Sequence, residues 1–410
     1  MPCYQPNSNR PKWKYFEHCV SGSPMLAKCL LTIRPKMRII LIQPCILWLF
    51  LEATFSNLNM SAQQIFVTGA NGFLGSHVIH QLLEKSYRVR GTARGAKVAL
   101  VRENFASYGD KFEAVLVENI AMDDISEHLR GVHAIIHVAA PIPSKRDPKV
   151  ILDGALAGTL DVIRQAEKAG IRKIIYTSSM ATVRNPSGSL TDKDWNPATE
   201  EETLVASPYA AYMGAKTLAE KAVWKFADEH KHVDITVLNP PCLFGPFVPG
   251  FRIPKPDYAA LSTNLYIYQW LTKKGGRAFP KVLGNADIRD VARIHVEALT
   301  SDPESSVGRK RLLIASTHDG NYKEAVLFVA DAHPELRDRL VDANTAPQFP
   351  ADKFLVDLKR VEDVTGVKAD SYYTWKETIL DTIDSLLAVE RSWATQGYEI
   401  EIPALEDYGL

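Results

Sequence analysis

Residues 65–75 read Ile-Phe-Val-Thr-Gly-Ala-Asn-Gly-Phe-Leu-Gly, an apolar run that breaks into a turn with glycines three residues apart. Gly69 permits a tight strand-to-helix turn, Gly72 lets the backbone approach a pyrophosphate, and Gly75 allows the helix to pack closely on the strand. Helical spacing of the apolar residues after the turn predicts an amphipathic helix ending near residue 84. Glycine turns also close ordinary strand–helix junctions. In a nucleotide-binding fold, the phosphates would sit on the free N–H groups of this helix.

A second motif lies far downstream, where Tyr212 and Lys216 stand four residues apart in a run, residues 210–226, that reads as helix. This spacing places the phenol and the ammonium on one helical face, so both groups can share a site. Taken alone, the pair also fits a half-buried tyrosine beside a solvated lysine. Upstream, an apolar run ends in Thr177, Ser178 and Ser179, where a parallel sheet presents its ligand-facing residues.

The order and spacing of these motifs resemble the extended short-chain dehydrogenase/reductase family: Thr-Gly-x-x-Gly-x-x-Gly, then Thr-Ser-Ser, then Tyr-x-x-x-Lys. The resemblance covers roughly residues 62–387. Residues 195–199, 219–222 and 238–246 are similar to the fungal carbonyl reductases akin to dihydroflavonol and cinnamoyl-CoA reductases. The resemblance implies reduction of an aldehyde or ketone to an alcohol by hydride transfer from NADPH.

Strand-like and helix-like runs alternate from Ile65 onward, which predicts an α/β fold with a Rossmann doubly wound parallel sheet. Strands are predicted at residues 65–68, 88–93, 112–117, 134–138, 173–177 and 234–238, and helices at residues 150–169, 212–230 and 258–274. We expect the nucleotide-binding domain at residues 61–239 and 281–300. A smaller, discontinuous substrate-binding lobe is expected at residues 240–280 and 301–410.

The composition limits the classes of partner. The 410 residues include 48 basic and 48 acidic side chains, and this balance gives no bias toward polyanions, so nucleic acid is not an expected partner. Four of the five cysteines precede the glycine motif and only Cys242 follows it, so we expect neither a disulfide framework nor a cysteine metal site. The histidines other than His137 show no metal-ligand spacing, and no metal is expected.

The first sixty residues differ in character from the rest. Basic residues precede an apolar run at residues 39–51, and Met60 then leads directly into the first strand. The run is thirteen residues long, which is short for a membrane span of ~20 residues but compatible with a signal segment. We interpret residues 1–60 as an extension that is disordered or not native to the domain, with a signal or membrane anchor and a packed element as alternatives. The expected location is cytoplasmic. If residues 39–51 act as a signal or anchor, the protein would instead be membrane-associated or secretory.

The residue that ends the second strand indicates which cofactor binds. Arg94 lies nineteen residues after Gly75, where an NAD site usually places an acidic residue against the ribose 2′-hydroxyl. An arginine can pair with a 2′-phosphate bidentately, which favours NADP, with Lys97 as a second contact. A solvated strand-end arginine is the alternative. Asn119 stands where relatives often carry an aspartate that accepts from the adenine amino group, and Ile120 follows it.

Tyr212 is the expected proton donor, and the attraction of the nearby Lys216 ammonium for a phenolate is expected to lower the pKa of its phenol. By family resemblance, Lys216 also bonds the nicotinamide ribose, and Ser179 polarises the carbonyl, with Ser178 left open as the alternative. His137 is interpreted as a structural histidine rather than a proton relay. The cofactor contacts are expected to be Gly69, Asn71, Gly72, Phe73, Leu74, Gly75, Arg94, Lys97, Asn119, Ile120, Ala139, Tyr212, Lys216 and Pro240. The substrate pocket is expected to be apolar and to include Pro141, Met180, Tyr209, Cys242 and Phe244.

Two kinds of rival function remain. A 3β-hydroxysteroid dehydrogenase or a nucleotide-sugar epimerase would use the same Ser-Tyr-Lys residues, although Arg94 disfavours an epimerase, which usually retains NAD. A non-catalytic NADP-sensing protein would not need the Tyr212–Lys216 pair.

Overall fold

The computed structural model describes residues 63–140, 146–185, 190–272, 279, 284–318, 320–347 and 354–405. Within these residues, seven parallel strands form one sheet in the order β3-β2-β1-β4-β5-β6-β9, and β7 and β8 form a separate parallel pair. The strands are β1 Gln64–Thr68, β2 Arg88–Ala93, β3 Phe112–Leu116, β4 Val132–His137, β5 Lys173–Thr177, β6 Asp234–Asn239, β7 Cys242–Phe244, β8 Asn285–Asp287 and β9 Lys310–Leu313.

Helices connect the strands and cover the sheet. They are α1 Phe73–Glu84, α2 Lys97–Asn104, α3 Pro148–Lys168, α4 Glu200–Leu204, α5 Pro208–Glu229, α6 Asn264–Tyr268, α7 Ile288–Glu297, α8 Glu304–Val307, α9 Tyr322–Ala332, α10 Leu358–Thr365 and α11 Trp375–Thr395. Local sequence sets several of their starts. In α3, for example, Pro148 occupies the first turn and the Asp147 carboxylate accepts a hydrogen bond from Lys149 N at 2.7 Å.

Helices lie on both faces of the sheet, so this arrangement confirms the predicted Rossmann-like α/β fold. On β1, Phe66 packs into a cluster with residues of α3 and α5, whereas the next residue, Val67, packs into a cluster with α1 and α7. Successive strand residues point to opposite faces, which explains why the whole run is apolar. A third cluster joins residues of α6, α9 and α11 around Trp270 and Trp393.

The strand order reverses between β2 and β4, which lie on either side of β1. In open α/β sheets, ligands bind outside the carboxyl ends of the strands at such a switch point. The turn after β1 and the segment after β4 therefore border the expected binding crevice.

Two elements differ from the sequence prediction. The helix predicted at residues 258–274 is divided into a 3-10 turn at Tyr258–Leu261, α6, and a second 3-10 turn at Gln269–Thr272, because Ser262 adopts a positive φ of 55°. The sheet also gains β9, within residues 301–410 that the sequence analysis placed in the smaller lobe. This strand is four residues long and begins with two cations, so it gave no strand-like pattern.

The described helices include none that is long and apolar enough to cross a membrane. Residues 1–60, including the apolar run at residues 39–51, lie outside the described part of the chain.

Candidate active site

The glycine turn after β1 has the close packing that its sequence predicts. Gly69 has φ 75°, and a Cβ atom there would meet Ala139 backbone atoms at 3.2 Å. A Cβ atom at Gly75 would lie 2.1 Å from the Gly69 carbonyl oxygen, which no side chain can satisfy. Gly72 begins α1 without a side-chain cap, and the first turn carries no acidic residue. The turn, which also contains Asn71 and Leu74, therefore leaves the helix N-terminus suited to an anion.

Arg94 lies at the carboxyl end of β2 and is exposed, with no ion pair among the described residues. Lys97 is also exposed, and its Nζ atom lies 3.8 Å from a carboxylate oxygen of Asp257. Of these two exposed cations, Lys97 has a carboxylate nearby, whereas Arg94 has none among the described residues.

The segment after β3 forms a local turn. The Asn119 side-chain oxygen accepts a hydrogen bond from Ala121 N at 3.1 Å, so one of its two lone pairs is already engaged. Ile120 is partly buried, and its Cγ2 atom lies 3.2 Å from the position that a Cβ atom would take on Gly158. The remaining acceptor capacity of Asn119 is what the predicted adenine contact would use.

Helix α5 and the end of β5 bring the predicted catalytic residues together. Tyr212 and Lys216 lie one turn apart on α5, and Ser179 follows β5. Lys216 Nζ donates to the Thr177 carbonyl oxygen at 2.9 Å, and it also lies 5.3 Å from the centre of the Tyr176 ring. The helix is thereby fastened to the carboxyl end of β5.

The electrostatics of Tyr212 differ from the expectation that Lys216 lowers its pKa. Burial raises the pKa of the Tyr212 phenol to about 12, and a hydrogen bond with Ser179 acts in the opposite direction. Desolvation disfavours the phenolate, and in this geometry that effect is the larger one. Tyr212 is therefore a protonated phenol at neutral pH.

Lys216 is buried, with only 3% of its surface exposed. Burial lowers the pKa of its ammonium to about 8, whereas the charge of Glu220 acts to raise it. The ammonium is consequently present at neutral pH but is lost under mildly alkaline conditions.

The two serines after Thr177 lie in different surroundings. Ser178 is buried, and its hydroxyl donates to Glu220 Oε2 at 2.5 Å. The Ser179 hydroxyl oxygen accepts from Ala181 N at 3.1 Å and is partly exposed. Because the Ser178 proton is committed to a carboxylate, Ser179 is the serine of the two that can donate to a substrate oxygen.

The predicted pocket residues are unevenly exposed. Tyr209 is half exposed, with its ring centre 6.3 Å from that of Tyr212. Met180 is buried, and Phe244 is fully buried, with its ring centre 6.2 Å from that of Trp375 and the two rings inclined at 69°. Burial raises the pKa of the Cys242 thiol to about 12, so it is not a thiolate nucleophile at neutral pH. Pro141 lies outside the described residues.

Pro240 is buried directly after β6, and its carbonyl oxygen accepts from Met180 N at 2.9 Å. Three buried polar residues behind the site were not predicted: Asn239 and Arg311 each donate a hydrogen bond to the Glu220 carboxylate. Their partners are up to 91 residues apart in sequence, so no local spacing could have indicated them. Among the described residues there is no cluster of histidine, cysteine, aspartate or glutamate that could hold a metal.

Comparisons with known proteins identify the family of this chain. The chain belongs to the NAD dependent epimerase/dehydratase family, whose model matches residues 65–310. This match confirms the family expected from the sequence. A ketoreductase of Aspergillus niger is 30% identical over 75% of this chain and 93% of its own length. An NADPH-dependent methylglyoxal reductase of Saccharomyces cerevisiae is 26% identical over 80% of this chain and 98% of its own.

Among solved structures, the yeast methylglyoxal/isovaleraldehyde reductase complexed with NADPH superposes with a TM-score of 0.66. It is 24% identical, and the alignment covers 80% of this chain and all of that one. At that level of identity the likeness supports the fold.

Proposed function

We propose that this protein is an NADPH-dependent reductase that converts a small aldehyde or ketone to an alcohol, with Tyr212 as the proton donor. The observation that carries the proposal is the convergence of Ser179, Tyr212 and Lys216 at the carboxyl end of β5, beside the glycine turn at the switch point of the sheet.

The residues of the crevice fit a dinucleotide. The turn packs so closely that a Cβ atom at Gly75 would clash with the Gly69 carbonyl oxygen, and the uncapped start of α1 offers backbone N–H groups to a pyrophosphate. Arg94, exposed at the carboxyl end of β2, would pair with a 2′-phosphate, which favours NADP(H) over NAD(H). When bound, the cofactor supplies the hydride that is transferred to the carbonyl carbon.

The protein residues manage the oxygen of the carbonyl. The Ser179 hydroxyl would donate a hydrogen bond to it, and this bond strengthens as negative charge develops. Tyr212 would transfer its phenolic proton to that oxygen, giving the alcohol. Lys216 would stabilise the phenolate left on Tyr212, because its ammonium is still protonated below pH 8.

The curated relatives support the kind of substrate. The Aspergillus protein is named a ketoreductase and the yeast protein a methylglyoxal reductase, so small carbonyl compounds are the first candidates for this chain. The equal numbers of basic and acidic residues give no bias toward polyanionic substrates.

The test is NADPH oxidation by the purified full chain, measured at the nicotinamide absorbance against methylglyoxal, other α-dicarbonyls, simple aldehydes and bulky ketones. We expect turnover with at least one carbonyl compound and strong dependence on Tyr212. Cofactor that is bound but not consumed with any carbonyl would contradict the proposal. Interconversion of a nucleotide sugar without net consumption of cofactor would favour an epimerase instead.

A further inference from the structure

A buried ion pair lies directly behind the Thr177-Ser178-Ser179 turn. Glu220 Oε1 and Arg311 Nε are 2.5 Å apart, and the two side chains expose 0% and 7% of their surface. Glu220 lies on α5 four residues beyond Lys216 and eight beyond Tyr212, so all three project from one face of the helix. Arg311 comes from β9, at the edge of the sheet.

The carboxylate of Glu220 has four donors. Oε2 accepts from Ser178 Oγ at 2.5 Å and from Asn239 Nδ2 at 2.6 Å, and Oε1 accepts from Trp224 Nε1 at 3.3 Å in addition to Arg311. Its lone pairs therefore accept hydrogen bonds from the residue that follows β5 and from residues of β6, α5 and β9. Through Ser178, Glu220 holds the residue next to the serine that would polarise the carbonyl.

The guanidinium of Arg311 holds the other side of the same turn. Nη2 donates to Thr182 Oγ1 at 3.1 Å, and Nη1 donates to the carbonyl oxygens of Asp192 and Asp194 at 2.5 and 2.7 Å. The guanidinium also lies 3.8 Å from the centre of the Trp195 ring. A planar fork with several fixed donors can make these contacts together, whereas a lysine ammonium cannot.

Asn239 closes the network from the end of β6. Its Nδ2 atom lies 3.2 Å from the Ser179 carbonyl oxygen and 2.9 Å from Thr182 Oγ1, as well as within bonding distance of Glu220. The Ser179 carbonyl oxygen thus accepts from Asn239, which contacts Glu220, and from Thr182 Oγ1, which contacts Arg311.

We propose that Glu220 and Arg311 are positioning residues for the reduction, and that their ion pair sets the place of the Ser179 hydroxyl relative to Tyr212. This inference rests on the proposed function. Neither residue touches the site where the carbonyl would bind, so each acts through the turn that carries Ser179.

A purely stabilising role is a poor explanation for the pair. Burial of two charges costs desolvation energy that their attraction often only offsets, and well-packed apolar residues of similar size are commonly as stable or more so. A charged pair with all its hydrogen bonds made does, however, specify one geometry for the groups around it. The group specified here is the serine turn.

The test is a double-mutant cycle on the full chain, using the best carbonyl substrate found. Arg311→Lys keeps the charge but loses the fork, and we expect kcat to fall at least tenfold while the KM for NADPH changes less than threefold. In a Ser179→Ala background the same substitution should lower kcat less than threefold, because the hydroxyl that it misplaces is already absent. Equal losses in both backgrounds would overturn the inference.

Lys310→Met is the matched control. Lys310 is the neighbouring residue of β9, is fully buried, and bonds Asp234, Ser301 and Asp302 away from the serine turn. Its loss removes a buried cation from the same strand, and kcat should stay within threefold of the native value. A loss equal to that of Arg311→Lys would show that any damage to β9 lowers kcat, and would also overturn the inference.

Two further measurements keep the result decisive. Should Arg311→Lys not accumulate as folded protein, Ser178→Ala takes its place in the same cycle, since it cuts the link to Glu220 without burying an unpaired charge. The Ser179→Ala variant by itself tests the proposed function. Native turnover in that variant would reject the serine assignment and this inference together, whereas a large loss with additive effects would reject the inference alone.

Discussion

The hydroxyl of Thr68 and the Nδ1 atom of His137 lie 2.7 Å apart at the carboxyl ends of β1 and β4. Thr68 Oγ1 also accepts from the N–H groups of Val138 and Ala139, each at 3.0 Å. Both of its lone pairs are thereby used, so its proton must go to Nδ1. Burial lowers the pKa of His137 to about 3, and the neutral ring therefore carries its hydrogen on Nε2. This supports the interpretation of His137 as a structural residue.

Thr68→Val should destabilise the protein, because it leaves two backbone N–H groups without an acceptor in a buried strand end. Each such group costs about 1–3 kcal/mol, so we expect the free energy of unfolding to fall by about 3 kcal/mol. Urea unfolding measures this change. Thr68→Ser keeps the hydroxyl and should cost less than about 1 kcal/mol. Equal stability of the two variants would contradict the assignment of these hydrogen bonds.

Arg94→Asp should reverse or erase a preference for NADPH, since it replaces attraction for the 2′-phosphate by repulsion. A charge-assisted contact contributes about 1.5–3 kcal/mol, so the ratio of kcat/KM for NADPH to that for NADH should fall by about 10- to 150-fold. Lys97→Ala is the control, with an expected change below tenfold because Asp257 already offsets that charge. A native preference for NADH would disprove the role of Arg94.

Tyr212→Phe should lower kcat by about 10²–10⁴-fold, because only the proton donor is lost. The dissociation constant for NADPH should remain within about threefold of the native value, as judged by fluorescence titration, since the ring that packs in the site is kept. Tyr209→Phe, a neighbouring ring, is the comparison and should act mainly on KM. Retention of a tenth of native turnover by Tyr212→Phe would exclude it as the donor.

The pH profile should report Lys216 rather than Tyr212 on its alkaline side. The pKa of Lys216 is lowered to about 8, so its ammonium is present below that pH and is lost as pH rises through it. The Tyr212 phenol, with a pKa of about 12, stays protonated throughout this range. We therefore expect kcat/KM to fall above pH 8, since this constant reports groups of the free enzyme.

Lys216→Arg tests the same assignment from the other direction. A guanidinium stays protonated across the accessible range, so the residual activity of this variant should not fall between pH 8 and 10. An unchanged alkaline limb would mean that another group titrates there.

The sequence predicted the elements whose signal is local. The glycine turn, the strand at Arg88–Ala93 and the strand at Lys173–Thr177 follow from patterns within a few residues, and the structure places them at those bounds. Ser262 shows the limit, because the apolar spacing on both sides of it predicts one helix and nothing local demands its positive φ.

Contacts between distant segments could not be predicted. Nothing in the sequence around Arg311 indicates that its side chain is buried. The carboxylate that pairs with it belongs to Glu220, which is 91 residues away in the sequence. Likewise, the expected effect of Lys216 on Tyr212 considered the attraction between charges alone. Burial, which depends on the whole fold, raises the pKa of the phenol.

Tyr212, Lys216 and Glu220 are evenly spaced along α5, so the helix itself fixes the relative positions of these three side chains. Each residue advances about 1.5 Å along the axis and turns by about 100°, so a four-residue step keeps the side chains nearly in line. One alanine inserted after Lys216 would leave the first two groups in place and swing Glu220 away from Ser178. An insertion can thus separate the role of Tyr212 as proton donor from the role of Glu220 in supporting the serine turn. It does so by rotating one part of the helix relative to the other, and it changes none of these side chains.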